Sequence, residues 1–262
     1  KHYKLQLTMI KEIIYEYWEG ELPEIINRDI EIDSSDLIND IVGVRRSGKT
    51  FLMYGKIKKL LAKVDKKSTI FINFENRKLF PLKPEYFNDI IEFIYAEKML
   101  DKGKIYLFLD EVQKIDGWEK FVRSIYDEFK GKIKIFVSGS NASLLSKDYG
   151  TLLTGRHLSM TLTPLSFKEF LIFKKFEIPD VLTEKSRASI KKFFEEYLIF
   201  GGFPEVVLSE NKEQILNQLF NDILTRDIIT RNVRKEAILE EFSSYLAGNV
   251  ASLLSFNRMA DY

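Results

Sequence analysis

The stretch GVRRSGKT, residues 43–50, decides the fold of this chain, because it matches the phosphate-binding pattern G-x-x-x-x-G-K-[ST] at every fixed position. Before it, residues 37–42 form a short apolar run that is typical of a buried strand. After it, residues 51–61 carry apolar side chains at helical spacing. Strand, loop and helix follow one another in the order that the motif requires, so the stretch predicts a nucleotide triphosphate site.

The two glycines of this loop let successive amide groups turn toward the phosphates, and the positive end of the following helix points at the same anion. Lys49 adds a mobile positive charge, and the Thr50 hydroxyl is placed to ligate a Mg²⁺ ion bridging the β- and γ-phosphates. The alternative is a glycine turn before an ordinary basic helix. The residues predicted to bind the nucleotide here are Gly43, Val44, Arg45, Arg46, Ser47, Gly48, Lys49, Thr50 and Phe51.

The composition of the 262 residues fits a globular protein and excludes several kinds of site. Hydrophobic residues make up 45% of the chain, which is enough for a packed core. The 40 basic and 39 acidic residues leave a formal net charge of +1, so composition gives no electrostatic argument for nucleic acid or a membrane as partner. The absence of cysteine and the presence of two histidines exclude disulfides, thiolate zinc sites, cysteine nucleophiles and histidine-rich metal sites.

The location expected from the sequence is the cytoplasm. No segment has the about 18 consecutive apolar residues that span a bilayer, and the first residues lack the apolar core of a signal peptide. A chain without cysteine also suits a reducing compartment. We therefore expect no membrane partner.

The first 165 residues alternate predicted strands with predicted helices. Such alternation predicts an α/β fold, a parallel sheet with helices on both faces. The run at 104–109 is almost continuously apolar, as expected for a central parallel strand that is buried on both faces. Strands are predicted at 37–42, 68–74, 104–109 and 132–137 and after Arg156, and helices at 51–61, 86–100 and 118–129.

From about residue 166 the pattern changes to helices alone. A turn signal at 201–204 divides this helical region. We expect an all-helical lid domain at 166–235 and the beginning of a further domain at 236–262. The predicted helices are 167–176, 184–199, 212–229 and 236–254.

Two carboxylates, Asp110 and Glu111, follow the predicted central strand. If that strand neighbours the strand before the loop, both acids lie beside the phosphates, in the Walker B arrangement. Asp110 would then hold Mg²⁺ through its water shell, and Glu111 would orient and deprotonate the attacking water. The alternative is a pair of acids that only terminates a strand.

Small polar residues follow the strand at 132–137, at the end where ligands gather in open α/β sheets. Ser140 or Asn141 could hydrogen-bond the attacking water or the γ-phosphate. The alternative is a helix cap or turn, because serine and asparagine favour such positions for local reasons.

An arginine is the remaining requirement, because the charge spread over a transferring phosphoryl group is best met by a guanidinium. Arg156 is the first candidate, and it would face its own nucleotide or that of a neighbouring subunit. For every candidate arginine, an ion pair at the surface or between domains is the alternative. The other candidates are Arg45, Arg46, Arg226 and Arg231.

Five segments together resemble an archaeal family of AAA-type ATP-binding proteins related to the STAND signal-transduction ATPases: GVRRSGKT, FLDEVQKIDGWEKF, FVSGSNASLL, LLTGRHLSMTLTPLSFKEFL and YLIFGGFPEVVL. The resemblance implies a P-loop NTPase domain with a P-loop at 43–50, Walker B at Asp110 and Glu111, and a sensor at Ser140 or Asn141. It also implies that the Gly-Phe-Pro turn ending at Pro204 contacts adenine in a helical lid, whose angle differs between ATP and ADP.

The same family usually continues into a winged-helix domain, which could bind DNA or a protein partner. Residues 255–262 look like the start of such a module. We therefore expect 236–262 to begin a winged helix that is truncated here. The preference for ATP over other nucleotides rests on this resemblance as well.

The leading functional hypothesis is a Mg²⁺-dependent ATP hydrolase that acts as a nucleotide-driven conformational switch, with assembly into a homo-oligomer as an option. A second hypothesis is a nucleotide-gated binding or regulatory module, associated with DNA or protein, that has little intrinsic hydrolysis. A third is a small-molecule kinase. Against the kinase, the acid pair suits activation of water better, and no acceptor pocket signature is visible.

Overall fold

The computed structural model describes residues 2–140, 153–223 and 236–249. Five strands form one sheet: β1 Ile38–Gly43, β2 Thr69–Asn73, β3 Ile105–Asp110, β4 Ile133–Gly139 and β5 His157–Leu162. The α-helices of the first part are α1 His2–Glu19, α2 Lys49–Leu60, α3 Tyr86–Ala96, α4 Met99–Lys102 and α5 Trp118–Glu128. Those of the second part are α6 Phe167–Phe173, α7 Glu184–Phe200, α8 Pro204–Leu208, α9 Lys212–Asp222 and α10 Glu236–Gly248.

The sheet is parallel throughout, with the strand order β2-β3-β4-β1-β5. The predicted strands and their parallel arrangement are thereby confirmed. The strand before the loop, β1, and the strand before the acid pair, β3, are not neighbours, because β4 lies between them. The sequence analysis placed Asp110 and Glu111 beside the loop on the condition that β1 and β3 are neighbours. That condition is not met, so another contact has to bring the two acids close to the loop.

Alternate residues of the strands pack against helices on opposite faces of the sheet, as a period of two requires. On one face, Phe71, Phe108 and Phe136 pack with Met53 of α2. On the other, α1, α3 and α5 cover a cluster that includes Leu107. The prediction of an α/β fold with helices on both faces is confirmed.

Helix α1 is an element that the sequence analysis did not assign. Near its end, the Trp18 Nε1 atom donates a hydrogen bond of 2.7 Å to the carbonyl oxygen of Thr69 in β2. The Tyr17 hydroxyl lies 2.7 Å from Oγ1 of the same threonine. Since β2 is an edge strand, these contacts join the end of α1 to the outer strand of the sheet.

The helical region after β5 has its own small core. It forms around Leu165, Phe170, Leu171, Phe173 and Val207, and Ile26 from before the sheet packs against it. Helix α8 begins where the sequence predicts a turn, with proline at its first position, where the missing amide hydrogen is not needed. The helix predicted at 212–229 is described as far as Asp222, and its remainder lies outside the described residues.

The expected domain limits at 165 and 235 stay predictions. In the described part of the chain, no helix combines the length and apolar character needed to cross a membrane. Of the module expected at 236–262, the structure describes a helix, Glu236–Gly248. Residues 250–262, on which the winged-helix prediction depends, lie outside the described residues.

Candidate functional site

The loop between β1 and α2 owes its shape to its two glycines. A side-chain carbon on Gly43 would lie 2.5 Å from the Leu162 carbonyl oxygen, so only glycine fits there. Gly48 has a φ of 96°, in the left-handed region that glycine adopts without strain. The same loop forces Arg46 to a φ of 61°, an unusual conformation for a residue with a side chain.

Lys49 is buried and turns back over this loop. Its Nζ atom donates hydrogen bonds to the carbonyl oxygens of Gly43 at 3.2 Å and Val44 at 3.3 Å. The same atom lies 3.5 Å from Oε1 of Glu111. The ammonium group therefore lies inside the loop, within reach of both the loop and the acid pair.

Asp110 is fully buried at the end of β3 and accepts three side-chain hydrogen bonds. Its Oδ2 atom accepts from Thr50 Oγ1 at 2.8 Å and from Asn73 Nδ2 at 2.9 Å, and its Oδ1 accepts from the Ser138 hydroxyl. Burial raises the pKa of Asp110, and the bonds from Ser138 and Thr50 offset only part of that rise. The carboxylate is thus held in one position at the start of α2.

The oxygen ligands at this point fit Mg²⁺. This ion binds through one or two protein oxygens and completes its shell with water and substrate phosphates. Thr50 and Asp110 supply one hydroxyl and one carboxylate, 2.8 Å apart. The described residues contain no cluster of three or more histidine, aspartate or glutamate side chains that could hold a metal alone, so a metal here would depend on a bound phosphate.

Glu111 is turned toward the loop by an unusual backbone conformation, with a φ of 54°. Its amide donates to the Ser138 hydroxyl oxygen at 3.1 Å, and its Oε2 atom accepts from Gln113 Nε2 at 2.7 Å. Its Oε1 atom faces Lys49. The second acid of the pair thus lies on the loop side, separate from the buried Asp110.

A cavity of about 1150 Å³ opens beside the loop, large enough for a nucleotide. Its walls come from the segment 24–34, the loop with helix α2, and helices α8 and α9, together with Glu75, Glu111 and Phe173. Phe51 and Pro204 both line it. Pro204 lies against the loop, since its Cγ is 3.7 Å from where a side-chain carbon on Gly48 would stand.

The two arginines of the loop form ion pairs. Arg46 joins the loop to the helical region, with Nη1 3.0 Å from Glu205 Oε2 and Nη2 3.3 Å from Asp222 Oδ2. Arg45 Nη2 lies 3.5 Å from Glu75 Oε1. For these two candidates the structure shows the alternative given above, an ion pair at the surface or between regions.

The sequence analysis did not identify a buried ion pair that lies behind the loop. The side chains of Arg28 and Glu169 are 6% and 4% exposed, with Nε 2.6 Å from Oε1 and Nη2 3.0 Å from Oε2. Arg28 Nη1 also donates to the Ser47 carbonyl oxygen at 3.1 Å. Glu169 in turn accepts from the Ser166 amide at the start of α6. One network therefore fixes the loop to the helical region.

Arg156 lies at the amino-terminal end of the parallel strands, directly before β5. Its carbonyl oxygen accepts from the Ile38 amide, at the start of β1, and its Nε is 2.9 Å from Asp127 Oδ1. The loop follows the opposite end of β1, so Arg156 is the length of a strand away from it. A role at its own nucleotide is not supported, and a role at the nucleotide of another copy stays a prediction.

The sensor candidates are split by the limits of the described residues. Ser140 directly follows β4, whereas Asn141, Arg226 and Arg231 lie outside the described residues. Ser138, two residues earlier, is the serine that contacts both Asp110 and the Glu111 amide. Its position in the same small polar run, at the carboxyl end of a strand, was the signal that could have found it.

Comparison with known proteins begins with two family matches. Residues 35–171, just over half of the chain, match the family described as AAA domain. This match spans the loop, the acid pair and β5. Residues 191–262 match a family described only as a domain of unknown function.

Two relatives are uncharacterized proteins. One, from Methanocaldococcus jannaschii, is 34% identical over 254 residues, which cover 94% of this chain and 55% of the relative. The other, from Haemophilus influenzae, is 34% identical over 239 residues, which cover 88% of this chain and 56% of the relative. The chain thus spans about half the length of the curated relatives that it matches.

Solved structures show weaker likeness. The Caenorhabditis elegans PCH-2 structure has a TM-score of 0.40 at 13% identity, covering 88% of this chain and 63% of that chain. The Aeropyrum pernix ORC1 protein, in a complex with DNA, has a TM-score of 0.39 at 12% identity, covering 99% and 81%. At these scores the likeness bears on neither the function nor the partners of this chain.

Proposed function

This chain belongs to the AAA domain family, and we propose that it binds ATP and hydrolyses it with Mg²⁺ as a nucleotide-driven conformational switch. Its parallel five-stranded sheet with a following helical region is the P-loop NTPase fold of AAA type. One observation carries the proposal: Thr50 contacts Asp110 at 2.8 Å while Lys49 lies 3.5 Å from Glu111, at the edge of one cavity.

In this proposal the loop binds the phosphates. The amides of 44–50 surround the anion at the positive end of α2, which is the ordinary binding mode of a helix N-terminus that follows a glycine loop. Lys49 exchanges the carbonyl oxygens of Gly43 and Val44 for the β- and γ-phosphates. The exchange is favourable because a phosphate oxygen is a charged acceptor and a carbonyl oxygen is not.

The two acids, Asp110 and Glu111, have separate roles in the proposed reaction. Thr50 and Asp110 would hold Mg²⁺, which, when bound, neutralises charge that develops on the phosphate oxygens. Glu111 accepts the proton of the attacking water and orients it, which suits its position on the loop side of Asp110. Asn141 would bond the same water or the γ-phosphate.

The helical region acts as the lid of the site. Phe51 and Pro204 line the cavity and would contact the base, and Arg46 links the loop to acids on α8 and α9. A nucleotide that shifts the loop therefore shifts the lid through contacts already present. The angle between the helical lid and the sheet would then differ between the ATP-bound and the ADP-bound protein.

Partners belong to the proposal as well. A protein or DNA would be contacted through a module in 236–262, and Arg156 would reach the nucleotide of a neighbouring copy in a homo-oligomer. The position of Arg156 supports this arrangement in one respect, since its guanidinium pairs with Asp127 and its backbone lies at the start of β1, the end of that strand opposite its own loop. We place the protein in the cytoplasm.

The second candidate function is a nucleotide-gated binding module with little hydrolysis. It is favoured by the Arg46 ion pairs, which join the loop to Glu205 and Asp222 without the need for any chemical step. In that case ATP holds two regions together, and Glu111 is dispensable for the output.

Steady-state hydrolysis of ATP and GTP with Mg²⁺ or with EDTA tests the proposal. We expect Mg²⁺-dependent release of phosphate from ATP, and a loss on the order of 100-fold or more in Glu111→Gln with ATP binding retained. Glu92→Gln, an exposed site on α3, is the matched control. Binding without turnover in the wild type would favour the gated module, and failure to bind either nucleotide would reject both functions.

A further inference from the structure

We infer that Gln113 is a positioning residue for hydrolysis, which holds the Glu111 carboxylate toward the phosphate loop. The inference rests on the proposed function and adds a residue to that reaction. Gln113 Nε2 donates a hydrogen bond of 2.7 Å to Glu111 Oε2. The other carboxylate oxygen, Oε1, is thereby left facing the Lys49 ammonium at 3.5 Å.

The backbone around Gln113 is fixed, so its side chain has a defined starting point. Residues Val112–Lys114 form one 3-10 turn, closed by a hydrogen bond of 3.1 Å from the Lys114 amide to the Glu111 carbonyl oxygen. Two apolar residues anchor this turn in the core: Val112, directly before Gln113, is fully buried, and Ile115, two residues after it, is 1% exposed. A short, anchored turn can hold an amide at constant distance from the carboxylate two residues earlier.

The orientation of the amide is set by Glu111. The Gln113 Oε1 atom is buried and has no hydrogen-bond partner within 2–140, 153–223 and 236–249. The orientation of the amide is therefore not determined by a hydrogen bond to its oxygen. Rotating the amide by 180° would place its oxygen against a carboxylate oxygen and leave the donor unused. The amide therefore serves the carboxylate.

The consequence concerns the moment when nucleotide enters. Lys49 is expected to leave the loop carbonyl groups and Glu111 for the phosphates, and Glu111 then loses its ionic partner. The Gln113 amide is a donor that does not have to move, because it contacts Oε2 whereas Lys49 of the phosphate loop faces Oε1. It keeps Oε2 engaged and leaves Oε1 directed at the water.

The first test is hydrolysis by Gln113→Leu, which keeps the size of the side chain and removes the donor. We expect kcat to fall on the order of 10- to 100-fold, the usual effect of a misplaced catalytic group, with KM within about twofold of the wild type. In the Glu111→Gln background the same change should have no further effect. Gln214→Leu, on an exposed part of α9, is the matched control.

A purely structural role is distinguished by this pairing. A general loss of folding would slow Gln113→Leu and would slow the double variant further, whereas a residue that acts through Glu111 has nothing left to position once the carboxylate is gone. Wild-type kcat in Gln113→Leu would overturn the inference and leave the proposed ATPase intact.

The second test does not need turnover. ADP with Mg²⁺ and aluminium fluoride mimics the transition state of phosphoryl transfer. The affinity for this complex is compared with the affinity for ADP and Mg²⁺ alone. We expect Gln113→Leu to weaken the mimic on the order of 10-fold and to leave ADP unchanged. Equal binding of the mimic by the wild type and Gln113→Leu would overturn the inference. This outcome is distinct from an inactive wild type, which would reject the proposed hydrolysis.

Discussion

The Thr50 hydroxyl donates a hydrogen bond of 2.8 Å to Asp110 Oδ2, although the strands that lead to these two residues are separated by β4. The contact is made because Thr50 lies in the first turn of α2, which packs across the sheet on Phe108 and Phe136. The helix therefore spans the intervening strand and delivers the hydroxyl to the acid. This relationship underlies the first prediction.

Thr50→Ala should weaken the part of ATP affinity that depends on Mg²⁺. The variant loses one of two protein oxygens offered to the ion, while the loop amides and Lys49 still bind phosphate. Titration with ATP in Mg²⁺ and in EDTA measures the difference in affinity, which should be on the order of 10-fold in the wild type and clearly smaller in the variant. Thr161→Ala, exposed on β5, is the control. An unchanged Mg²⁺ effect in Thr50→Ala would reject this metal site.

Lys49→Ala should lose both ATP binding and hydrolysis. Charge-assisted hydrogen bonds to the phosphates are lost, which corresponds to a drop in affinity of about 10- to 100-fold. Calorimetric titration with ATP measures this drop, and thermal unfolding checks that the fold persists. Lys58→Ala is a matched control, because Lys58 is exposed on the same helix. ATP affinity equal to that of the wild type in Lys49→Ala would contradict the site.

Arg46→Ala should loosen the helical region without unfolding the sheet. Each ion pair of Arg46, with Glu205 and with Asp222, is partly exposed, so each stabilises the arrangement by about 1 kcal/mol or less. Hydrogen exchange of the α8 and α9 amides should become faster by up to about fivefold per pair. Exchange in β1 and β3 should stay the same.

The control for this prediction is Arg45→Ala, because Arg45 is paired with Glu75 and not with the helical region. A charge swap, Arg46→Glu with Glu205→Arg, should recover part of the protection if the pair itself is responsible. Equal acceleration in α8 for Arg45→Ala and Arg46→Ala would show that loop charge in general, and not this link, restrains the helices.

Glu169→Gln should destabilise the whole fold. Removing one partner of a buried ion pair leaves the other charge uncompensated, which costs about 3 to 5 kcal/mol. Arg28 and Glu169 are almost completely buried, whereas Lys168 and Asp29 form an exposed pair beside them at 2.6 Å. Lys168→Ala should therefore cost about 1 kcal/mol or less in the same denaturant titration. Similar losses for the two variants would contradict the buried network.

The pH dependence of stability gives a second measurement on this pair. Burial raises the pKa of Glu169, but the hydrogen bonds from Arg28 and Ser166 outweigh that effect and lower the pKa below its ordinary 4.5. A lowered folded-state pKa contributes stability that is present above the ordinary value and is lost as the pH falls through the folded value. The free-energy gap between wild type and Glu169→Gln should thus narrow as the pH falls below about 4.5.

The local parts of the site were predictable from the sequence. The spacing of Gly43, Gly48, Lys49 and Thr50 specifies a strand, a loop and a helix start, because each demand on backbone conformation or charge lies within eight residues. The acids after β3 were predictable for the same reason. Strand limits agreed to within about two residues, as periodicity and turn residues allow.

The contacts between distant segments were not predictable in this way. Asn73 and Ser138 reach Asp110 only because β2 and β4 end at the same edge of the sheet, on either side of β3. Arg28 and Glu169 are separated by 141 positions in the chain and meet behind the loop. Nothing in the local pattern around Asn73, Arg28 or Glu169 distinguishes them from ordinary polar positions, whereas Ser138 lies in a small polar run at the end of a predicted strand.

The sequence by itself determined the strands, most of the helices, the phosphate loop and the acid pair, since these follow from short-range spacing. The tertiary structure alone decided the strand order, which set β4 between β1 and β3. The physical reason is that strand order depends on how the connecting helices pack on the two faces, a sum of many long-range apolar contacts.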